Sequence, residues 1–541
     1  MTNDNEWWRG CVVYQIYPRS FQDTNGDGVG DLPGITRRLG YVADLGVDAV
    51  WISPFFASPM RDFGYDVSDY RAIDPLFGSM RDFENLLAEA HRLGLKVMID
   101  LVVSHTSDQH PWFAESCASR DNPKADWYTW ADPKPDGTPP NNWLSHFGGP
   151  AWTWNARRRQ YYFHNFLAQQ PDLNYHNPEV RTAVLDIFRF WLEKGVDGFR
   201  LDTVNMYYQD AQLRDNPPCP PDSRLSDYDP YDYQIHLHDK SQPENLLFLE
   251  DVRTLTDSFP GRALIGEIGG EPASVAPLLT SYTERGRRLH MAYVFDLQYT
   301  DFTAEAMRRE ITRLAALTAD GWICWSISNH DARRVLTRWG LEDHADKAVP
   351  MVVAMLLSLK GSSCVYQGEE LGLPEADIPY ECLQDPHGKA MWPEFKGRDG
   401  CRTPMPWEKN ALGAGFTVGM SWLPIPRAHR ERAVDAQSGR DGAILERCRN
   451  FIQWRRGVTE LLDGDMEFFD PTENVLAFRR RTRTGEVAAL FNLGPERAVF
   501  CLGDGYEAMT GHGFSGTLRN GEVELEGYDA FFARRIDAEG V

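Results

Sequence analysis

Positive charge is scarce in this sequence. Across 541 residues, 56 Lys and Arg stand against 79 Asp and Glu, a formal net charge of -23. Nucleic acid and anionic membrane surfaces both require basic patches, so neither is expected as a partner. A neutral or cationic small molecule is. Cysteine is sparse as well: nine, an odd number, spread from Cys11 to Cys501 with no close pair. That spacing argues against a disulfide frame or a zinc site and for reduced thiols. Long apolar runs are missing, so no membrane-spanning helix is expected. The opening residues MTNDNEWWRG carry neither a basic n-region nor an apolar h-region, so no secretory leader is expected and the cytoplasm is the simplest location. There is no internal repeat and no low-complexity tail.

What remains is an ordinary globular composition, 42% hydrophobic and 25% charged, in a chain too long for one core. Two or three domains are expected, in a monomer or homodimer. Aromatic residues reach 12%, with 17 Trp and 21 Tyr. Such a supply suits flat polar ligands such as sugar rings, although aromatic cores account for it equally.

Short apolar runs recur between helical patterns: VVYQIY (12–17), AVWISP (49–54), LKVMIDLVV (95–103), GFRLDT (198–203), ALIGEI (263–268), AYVFDL (292–297), ICWSIS (323–328) and SCVYQGEE (363–370). Near-continuous apolar strands alternating with helices imply a parallel sheet covered on both faces. Eight of them imply a closed (β/α)8 TIM barrel, an α/β fold. One helix follows from Asn177 as cap, Pro178 at its first position, apolar residues from Val180 to Leu192 at helical spacing, and Gly195 as stop. A second runs from about Met80 to Leu93.

Three segments depart from the barrel rhythm. Residues 105–176, rich in Trp, Pro, Asn and Gly, are too long for a loop and are read as a small inserted domain after the third strand. It divides the barrel into 1–104 and 177–459. Residues 208–245, with the run Pro217-Pro218-Cys219-Pro220-Pro221, are read as an irregular flap. Residues 460–541 switch to alternating strands such as NVLAFRRRT and EVAALFNL and are read as a C-terminal antiparallel β-sandwich.

In a (β/α)8 barrel, chemistry sits at the C-terminal strand ends. The third strand leads into Asp100 and His105, the fourth ends in Arg200 and Asp202, the fifth in Glu267, and the seventh leads into Asn329-His330-Asp331. Arg200 and Asp202 alone could be a buried structural pair. Asp100 reads as structural, and His91, His236 and His238 read as surface or flap residues. Three separated carboxylates with a His–Asp pair at one mouth are harder to obtain by chance. Glycoside hydrolysis needs such a set: a carboxylate nucleophile or base, an acid of raised pKa, and a third group that grips the distorted, positively charged transition state. Arg200 emerges on the same face as Asp202 and can hold it ionised. Neighbouring carboxylates and apolar walls should keep Glu267 protonated.

With its motifs DLVVSHTS (100–107), QPDLN (170–174), GFRLDTVN (198–205), IGEI (265–268) and ISNHD (327–331), the chain resembles glycoside hydrolase family 13, the α-amylase superfamily, in its oligo-1,6-glucosidase and α-glucosidase branch. The likeness runs to about residue 410 and continues weakly beyond. It implies that Asp202 is the nucleophile, Glu267 the general acid/base and Asp331 the transition-state stabiliser. It places His105, Arg200 and His330 around the glucosyl unit. DFGYD supplies Asp62 as a contact to the terminal sugar and Tyr65 as its platform. GRDGCRTPMPW supplies Arg398, whose pairing with Asp62 would close the pocket and make the enzyme exo-acting. Phe147 and Phe166 of the inserted domain are candidate walls.

The loop DTNGDGVGD (23–31) places oxygen donors at alternate positions between glycines, like the first half of a calcium loop. An EF-hand's bidentate Glu is absent. The resemblance implies a structural Ca2+ or Mg2+ held by Asp23, Asn25, Asp27, the Val29 carbonyl and Asp31, outside the chemistry; an Asx/Gly turn without metal is the alternative. No cofactor for catalysis is expected.

In this branch, α-1,6-specific relatives tend to carry Val after the nucleophile, and α-1,4-specific ones Ala, Gly or Thr. Here Thr203 stands there, which favours α-1,4 glucosides of maltose size, its hydroxyl available to acceptor or water. The flap would cover the acceptor side. Its tyrosines suggest an apolar acceptor site and glucosyl transfer to alcohols, phenols or sugars. The rival readings are an oligo-1,6-glucosidase, which Thr203 disfavours, and a sucrose-acting member, for which no basic cluster stands near Glu267. A non-catalytic transporter subunit would lose acids and gain a membrane helix, and a mere sugar binder would not need Glu267.

Overall fold

Eight parallel strands close into a barrel in simple sequence order. The computed structural model describes residues 6–270, 272–293, 295–318 and 321–536. Its barrel strands are β1 (Val12–Ile16), β2 (Ala49–Ile52), β3 (Lys96–Leu101), β4 (Gly198–Leu201), β5 (Ala263–Glu267), β6 (Met291–Tyr293), β7 (Ile323–Trp325) and β8 (Ser362–Tyr366). Each pairs with the next, and β8 returns to β1 with Val12 opposite Ser363. A helix follows each strand: α1 (Leu32–Leu45), α2 (Met80–Arg92), α3 (Pro178–Lys194), α4 (Asn245–Asp257), α5 (Pro272–Thr283), α6 (Ala304–Leu317), α7 (Ala345–Ser358) and α8 (Ile444–Arg455). The last packs against both α7 and α1 and completes the ring.

Local chemistry sets these elements. The Asn177 side chain accepts from the Glu179 N–H at the start of α3, Pro178 occupies the first turn, and Gly195 ends the helix at φ 98°. Val180, Val184, Ile187, Phe188, Trp191 and Leu192 form its buried stripe. Ser79 and Asp82 make a reciprocal capping box on α2.

The strands alternate strictly. Val12, Tyr14, Val50, Ile52, Val97, Ile99 and Leu101 face the helices. Val13, Ala49, Met98, Ala263, Met291, Cys324 and Cys364 pack together inside the barrel. Gly198 is the small partner in that interior: a Cβ there would stand 2.3 Å from the Ala263 carbonyl oxygen and 3.0 Å from Met98 Cε. With a period of two, the interior face then climbs from Met98 to Asp100, from Gly198 to Arg200 and from Ile265 to Glu267. All nine cysteines are unpaired.

Most strands end earlier than their apolar runs. β3 stops at Leu101 although Val102 and Val103 are buried, and β8 stops at Tyr366, before Gly368 at φ 85°. Residues past the ladder are buried by the inserted segment and the loops, not by sheet pairing. The sixth run, 292–297, includes residue 294, which lies outside the described residues, as do residues 1–5 of the opening stretch.

Between β3 and α3 lie a short helix, Pro111–Ser116, and a three-stranded antiparallel sheet of Trp130–Ala131, Gln160–Phe163 and Trp152–Asn155. Its small core is Ala131, Trp143, Ala151, Trp152 and Phe163. The QPDLN stretch returns the chain to the barrel through bridges from Asp172 to His105 and from Leu173 to Tyr128. The 208–245 segment has only short 3-10 turns at Pro221–Ser223 and Pro230–Tyr233. It docks on the insertion, with Trp143 Nε1 donating to the Arg214 carbonyl at 2.8 Å and the Asn142 and Asn216 amides exchanging bonds. His236 is buried within it, its Nδ1 2.5 Å from Asp239.

Beyond Gly464, a five-stranded antiparallel sheet faces a three-stranded one. In Glu486–Asn492, Ala488 and Leu490 point into the sandwich while Val487, Ala489 and Phe491 join the core shared with the barrel helices. Both faces are covered, so the strand reads as continuously apolar. Among the described residues no helix is long and apolar enough to cross a membrane.

Candidate active site

Arg200 organises the barrel mouth. Its guanidinium is 1% exposed and ion-pairs with three carboxylates: Nη1 with Asp100 at 2.7 Å and Asp202 at 2.6 Å, Nη2 with Glu267 at 2.7 Å. Trp51 lies 4.9 Å beneath it. Asp202 and Glu267 are therefore gripped by adjacent amino groups of one side chain. Thr203 joins them again: its N–H donates to Glu267 Oε2 at 2.9 Å and its hydroxyl to Asp202 Oδ2 at 3.3 Å. That N–H is aimed by a backbone at φ 39°, ψ 48°, a left-handed conformation that a β-branched residue rarely adopts. The Thr203 hydroxyl also meets Ser104 at 3.1 Å.

One cation shared among three buried acids leaves them short of positive charge. Burial pushes the Glu267 carboxyl up to about 8, against the pull of Arg200 and with help from Asp202 and Asp331. Burial also raises Asp202 to about 7 and Asp100 to about 6, Arg200 opposing in both. The expectation that Arg200 keeps Asp202 low holds only as an opposing force, because its charge is divided. Burial thus favours keeping a proton on the Asp202–Glu267 pair.

Asp331 differs. Its side chain is about one-third exposed, and Oδ1 receives Arg402 Nη2 at 2.6 Å and Arg398 Nη1 at 3.1 Å. Burial acts to raise its pKa, but His330 and then Arg398 and Arg402 hold the carboxyl far below the usual range. His330 Nε2 lies 3.1 Å from Asp331 Oδ2, yet burial lowers this imidazole to about 3. At neutral pH His330 is uncharged, and the two arginines keep Asp331 ionised.

His330 is fixed on every side. Gln15 Nε2 is 2.7 Å from its Nδ1, the Tyr65 hydroxyl bonds its Nε2, and Tyr65 stacks on it with centroids 5.5 Å apart and planes 3° apart. Tyr65 also donates to Asp100 at 3.3 Å. His105 Nε2 is 3.0 Å from the Tyr65 carbonyl, and burial lowers this ring to about 4. Gln170 Nε2 donates to Asp62 at 3.3 Å.

At the far side Arg398 Nη2 meets Asp62 at 3.0 Å. Burial raises Asp62 to about 6 despite that partner. Arg398 is held more extensively by Asp385, through Nε at 3.0 Å and Nη2 at 2.8 Å. Phe147 lies 5.0 Å under the guanidinium, and Phe166 packs 5.6 Å from Phe147 and 5.4 Å from His105. Every residue read from the strand ends and the two flanking motifs thus falls in one connected cluster. Asp385, Arg402 and Gln170 escaped the sequence reading. The last two lie inside quoted motifs, Arg402 four residues after Arg398 and Gln170 two before Asp172. Asp385 follows no pattern.

The 23–31 loop stands apart from this cluster, after β1. Asp23 Oδ1 accepts from the Asn25 and Gly26 N–H groups, and Oδ2 accepts from Gly28 N–H and the Thr417 hydroxyl. Asp27 accepts from Val29 N–H and Asn25, and Asp31 both accepts from Thr24 and caps α1. Among the described residues no three His, Cys, Asp or Glu side chains converge as a metal cluster. The donors are nonetheless all oxygen: three carboxylates, one carboxamide and the Val29 carbonyl. That chemistry fits a hard divalent cation.

Residues 15–464 match the alpha amylase catalytic domain family model. The chain belongs to the α-amylase family. It is 52% identical over 539 residues to a protein of Rhizobium meliloti (strain 1021) described as a probable alpha-glucosidase, covering 98% of this chain and 97% of that one. An oligo-1,6-glucosidase of Heyndrickxia coagulans is 36% identical, covering 92% and 93%. The crystal structure of an alpha-glucosyl transfer enzyme, XgtA, superposes with a TM-score of 0.95 at 55% identity, covering 98% of this chain and 99% of that one.

Proposed function

We propose that this protein is a retaining, exo-acting α-glucosidase. It takes the non-reducing glucosyl unit of maltose and short α-1,4-glucosides and delivers it to water or to an alcohol, phenol or sugar hydroxyl. The observation that carries this reading is the pairing of Asp202 and Glu267 on the one Arg200 guanidinium at the barrel mouth. In retaining glycosidases the two carboxyl groups stand about 5–5.5 Å apart, close enough for one to bond the sugar while the other serves the leaving group.

In the first step an Asp202 oxygen bonds to the anomeric carbon as the glycosidic C–O bond breaks, and Glu267 gives its proton to the departing oxygen. In the second, Glu267 takes a proton from water or an acceptor hydroxyl, whose oxygen attacks the anomeric carbon and releases Asp202. Two displacements at one carbon retain configuration. Asp331, ionised by Arg398 and Arg402, faces the cationic transition state. The neutral His105 and His330 brace Tyr65 from both sides without adding charge. The Asp62–Arg398 pair with Phe147 and Phe166 bounds the pocket, which favours a chain end over a chain interior.

The α-1,4 preference rests on Thr203. Glucose release from equimolar maltose, isomaltose, sucrose and soluble starch tests it. Maltose should lead, with the α-anomer appearing first, and an added phenol should yield a glucoside. A lead for isomaltose or sucrose would overturn the linkage. Loop 23–31 is proposed to hold Ca2+ or Mg2+ as a structural pin, read by a fall in Tm on chelation. Nine free thiols suit a reducing, cytoplasmic location.

A further inference from the structure

Two stretches distant in sequence meet beside the closed end of the pocket: the 208–245 segment and residues 384–399. His387 stands where they meet. Its Nε2 is 3.6 Å from Asp229 Oδ2 of the segment. Its ring centroid lies 5.0 Å from that of Phe147 and 4.8 Å from that of Phe395, and Tyr228 of the segment stacks on Phe395 with planes 12° apart. His146 fills the same corner, 5.8 Å from His387 and 4.8 Å from Tyr231. Asp229 is fixed in turn, its Oδ1 accepting from the Tyr231 N–H at 2.9 Å. Burial acts against its charge, but His387 and that N–H hold the carboxyl below its ordinary value.

Two routes lead from His387 to Arg398. The first runs through a ring: Phe147 touches both, 5.0 Å from the His387 ring and 5.0 Å from the Arg398 guanidinium. The second runs through Asp385. Its Oδ1 accepts from the His387 N–H at 3.2 Å, capping the short helix Pro386–Met391, and from Arg398 Nη2 at 2.8 Å. Its Oδ2 accepts from the Arg398 backbone N–H at 2.7 Å and from Nε at 3.0 Å. The two backbones are locked as well. A Cβ on Gly388 would stand 2.6 Å from Gly397 Cα, so only glycine lets the residue after His387 lie on the residue before Arg398.

This hold matters because Arg398 has a choice of partners. It reaches Asp62 at 3.0 Å and Asp331 at 3.1 Å as well as Asp385. A guanidinium among three carboxylates can take more than one placement, and a closed pocket needs one of them. Asp385 and Phe147 select it, and His387 holds both. We infer that Asp229 and His387 are positioning residues for Arg398, through which the 208–245 segment sets how firmly the pocket grips the glucosyl unit. The inference rests on the glucosidase reading and goes beyond it, tying the grip on the sugar to residues outside the acid cluster.

The test is isothermal titration of the full chain with 1-deoxynojirimycin, an iminosugar the size of one glucosyl unit with no acceptor moiety. His387→Ala should raise its Kd about tenfold, and Asp229→Asn, which keeps the size and the turn at Tyr231, about threefold, within the range of coupling between residues in contact. In an Arg398→Lys background, where the planar fork is gone, neither should shift Kd by more than about 1.5-fold. Asp210→Asn breaks the Arg214 ion pair of the same segment, away from this path, and should leave Kd unchanged. If His387→Ala does not fold, Asp229→Asn with and without Arg398→Lys decides alone. A Kd unmoved by Asp229→Asn, the same shift in the Arg398→Lys background, or an equal shift from Asp210→Asn would overturn the inference and leave the glucosidase reading standing. A parent chain that does not bind the iminosugar would overturn both.

Discussion

The lower and upper halves of the barrel interior are built by the same strands at the same period, yet they are made for different ends. Below, Val13, Ala49, Met98, Met291, Cys324 and Cys364 fill the space with apolar volume. Two residues further along, the same faces present Gln15, Trp51, Asp100, Arg200 and Glu267, all buried. The lower layer obeys the rule that interiors are packed and dry. The upper layer breaks it, placing three carboxylates on one cation with too little positive charge to ionise them all. Sequences depart from local consistency at functional sites, and here the departure begins within one step of the pleat.

That contrast can be broken most sharply at the acids. Asp202→Asn or Glu267→Gln should lower kcat/KM on maltose about 10³-fold or more, since a nucleophile or a general acid/base is removed. Melting temperature should change little or rise, because a strained buried carboxyl is relieved. An equal loss from both on an aryl glucoside with a good leaving group would weaken the acid assignment, since Glu267→Gln should lose less there. The lower layer should respond in the opposite way. Met98→Ala should destabilise the fold by about 2–5 kcal/mol, the usual cost of a core cavity, while kcat/KM below the melting transition stays within about threefold. Denaturant unfolding alongside kinetics separates the two.

Arg398→Ala probes the closed end. It leaves Asp62 and Asp385 buried without their cation and removes one of two arginines from Asp331. About a 10²-fold loss in kcat/KM is expected, most of the cost arising from uncompensated buried charge. If a chain-interior substrate such as starch gained relative to maltose, pocket closure by the Asp62–Arg398 pair would be supported.

The smallest expected effect is the pH profile. Burial raises both acids, Asp202 to about 7 and Glu267 to about 8, so they titrate as one unit with two apparent values. The working form has Asp202 ionised and Glu267 protonated. Activity rises with pH as Asp202 loses its proton and falls as Glu267 loses its own. The optimum should lie between those values, and Glu267→Gln should abolish the alkaline limb on an activated substrate.

The barrel was legible because eight apolar runs and their caps repeat one local grammar, and Asn177-Pro178 to Gly195 is read the same way in sequence and in structure. Strand ends were overrun because burial at the mouth, as at Val102 and Val103, comes from the inserted segment and looks like sheet. The acid cluster was legible where each member ends a strand. Asp385 was not, because its importance lies in reaching Arg398 across a loop, and no spacing encodes that. Nor was the left-handed backbone of Thr203, which turns its N–H toward Glu267 and its hydroxyl toward Asp202. The sequence suggested a side chain facing the acceptor, whereas the fold ties its hydroxyl to Asp202 and Ser104 and its backbone N–H to Glu267.

In the proposed reaction Asp202 forms a covalent bond to the sugar while Glu267 moves the proton. Mass spectrometry of peptides from protein quenched during turnover of a slow, activated 5-fluoro-α-glucosyl fluoride tests it most directly. One glycosyl unit is expected on the peptide containing Asp202, lost on incubation with an acceptor. A label on Glu267, or a chain that releases inverted product and never carries a label, would contradict it.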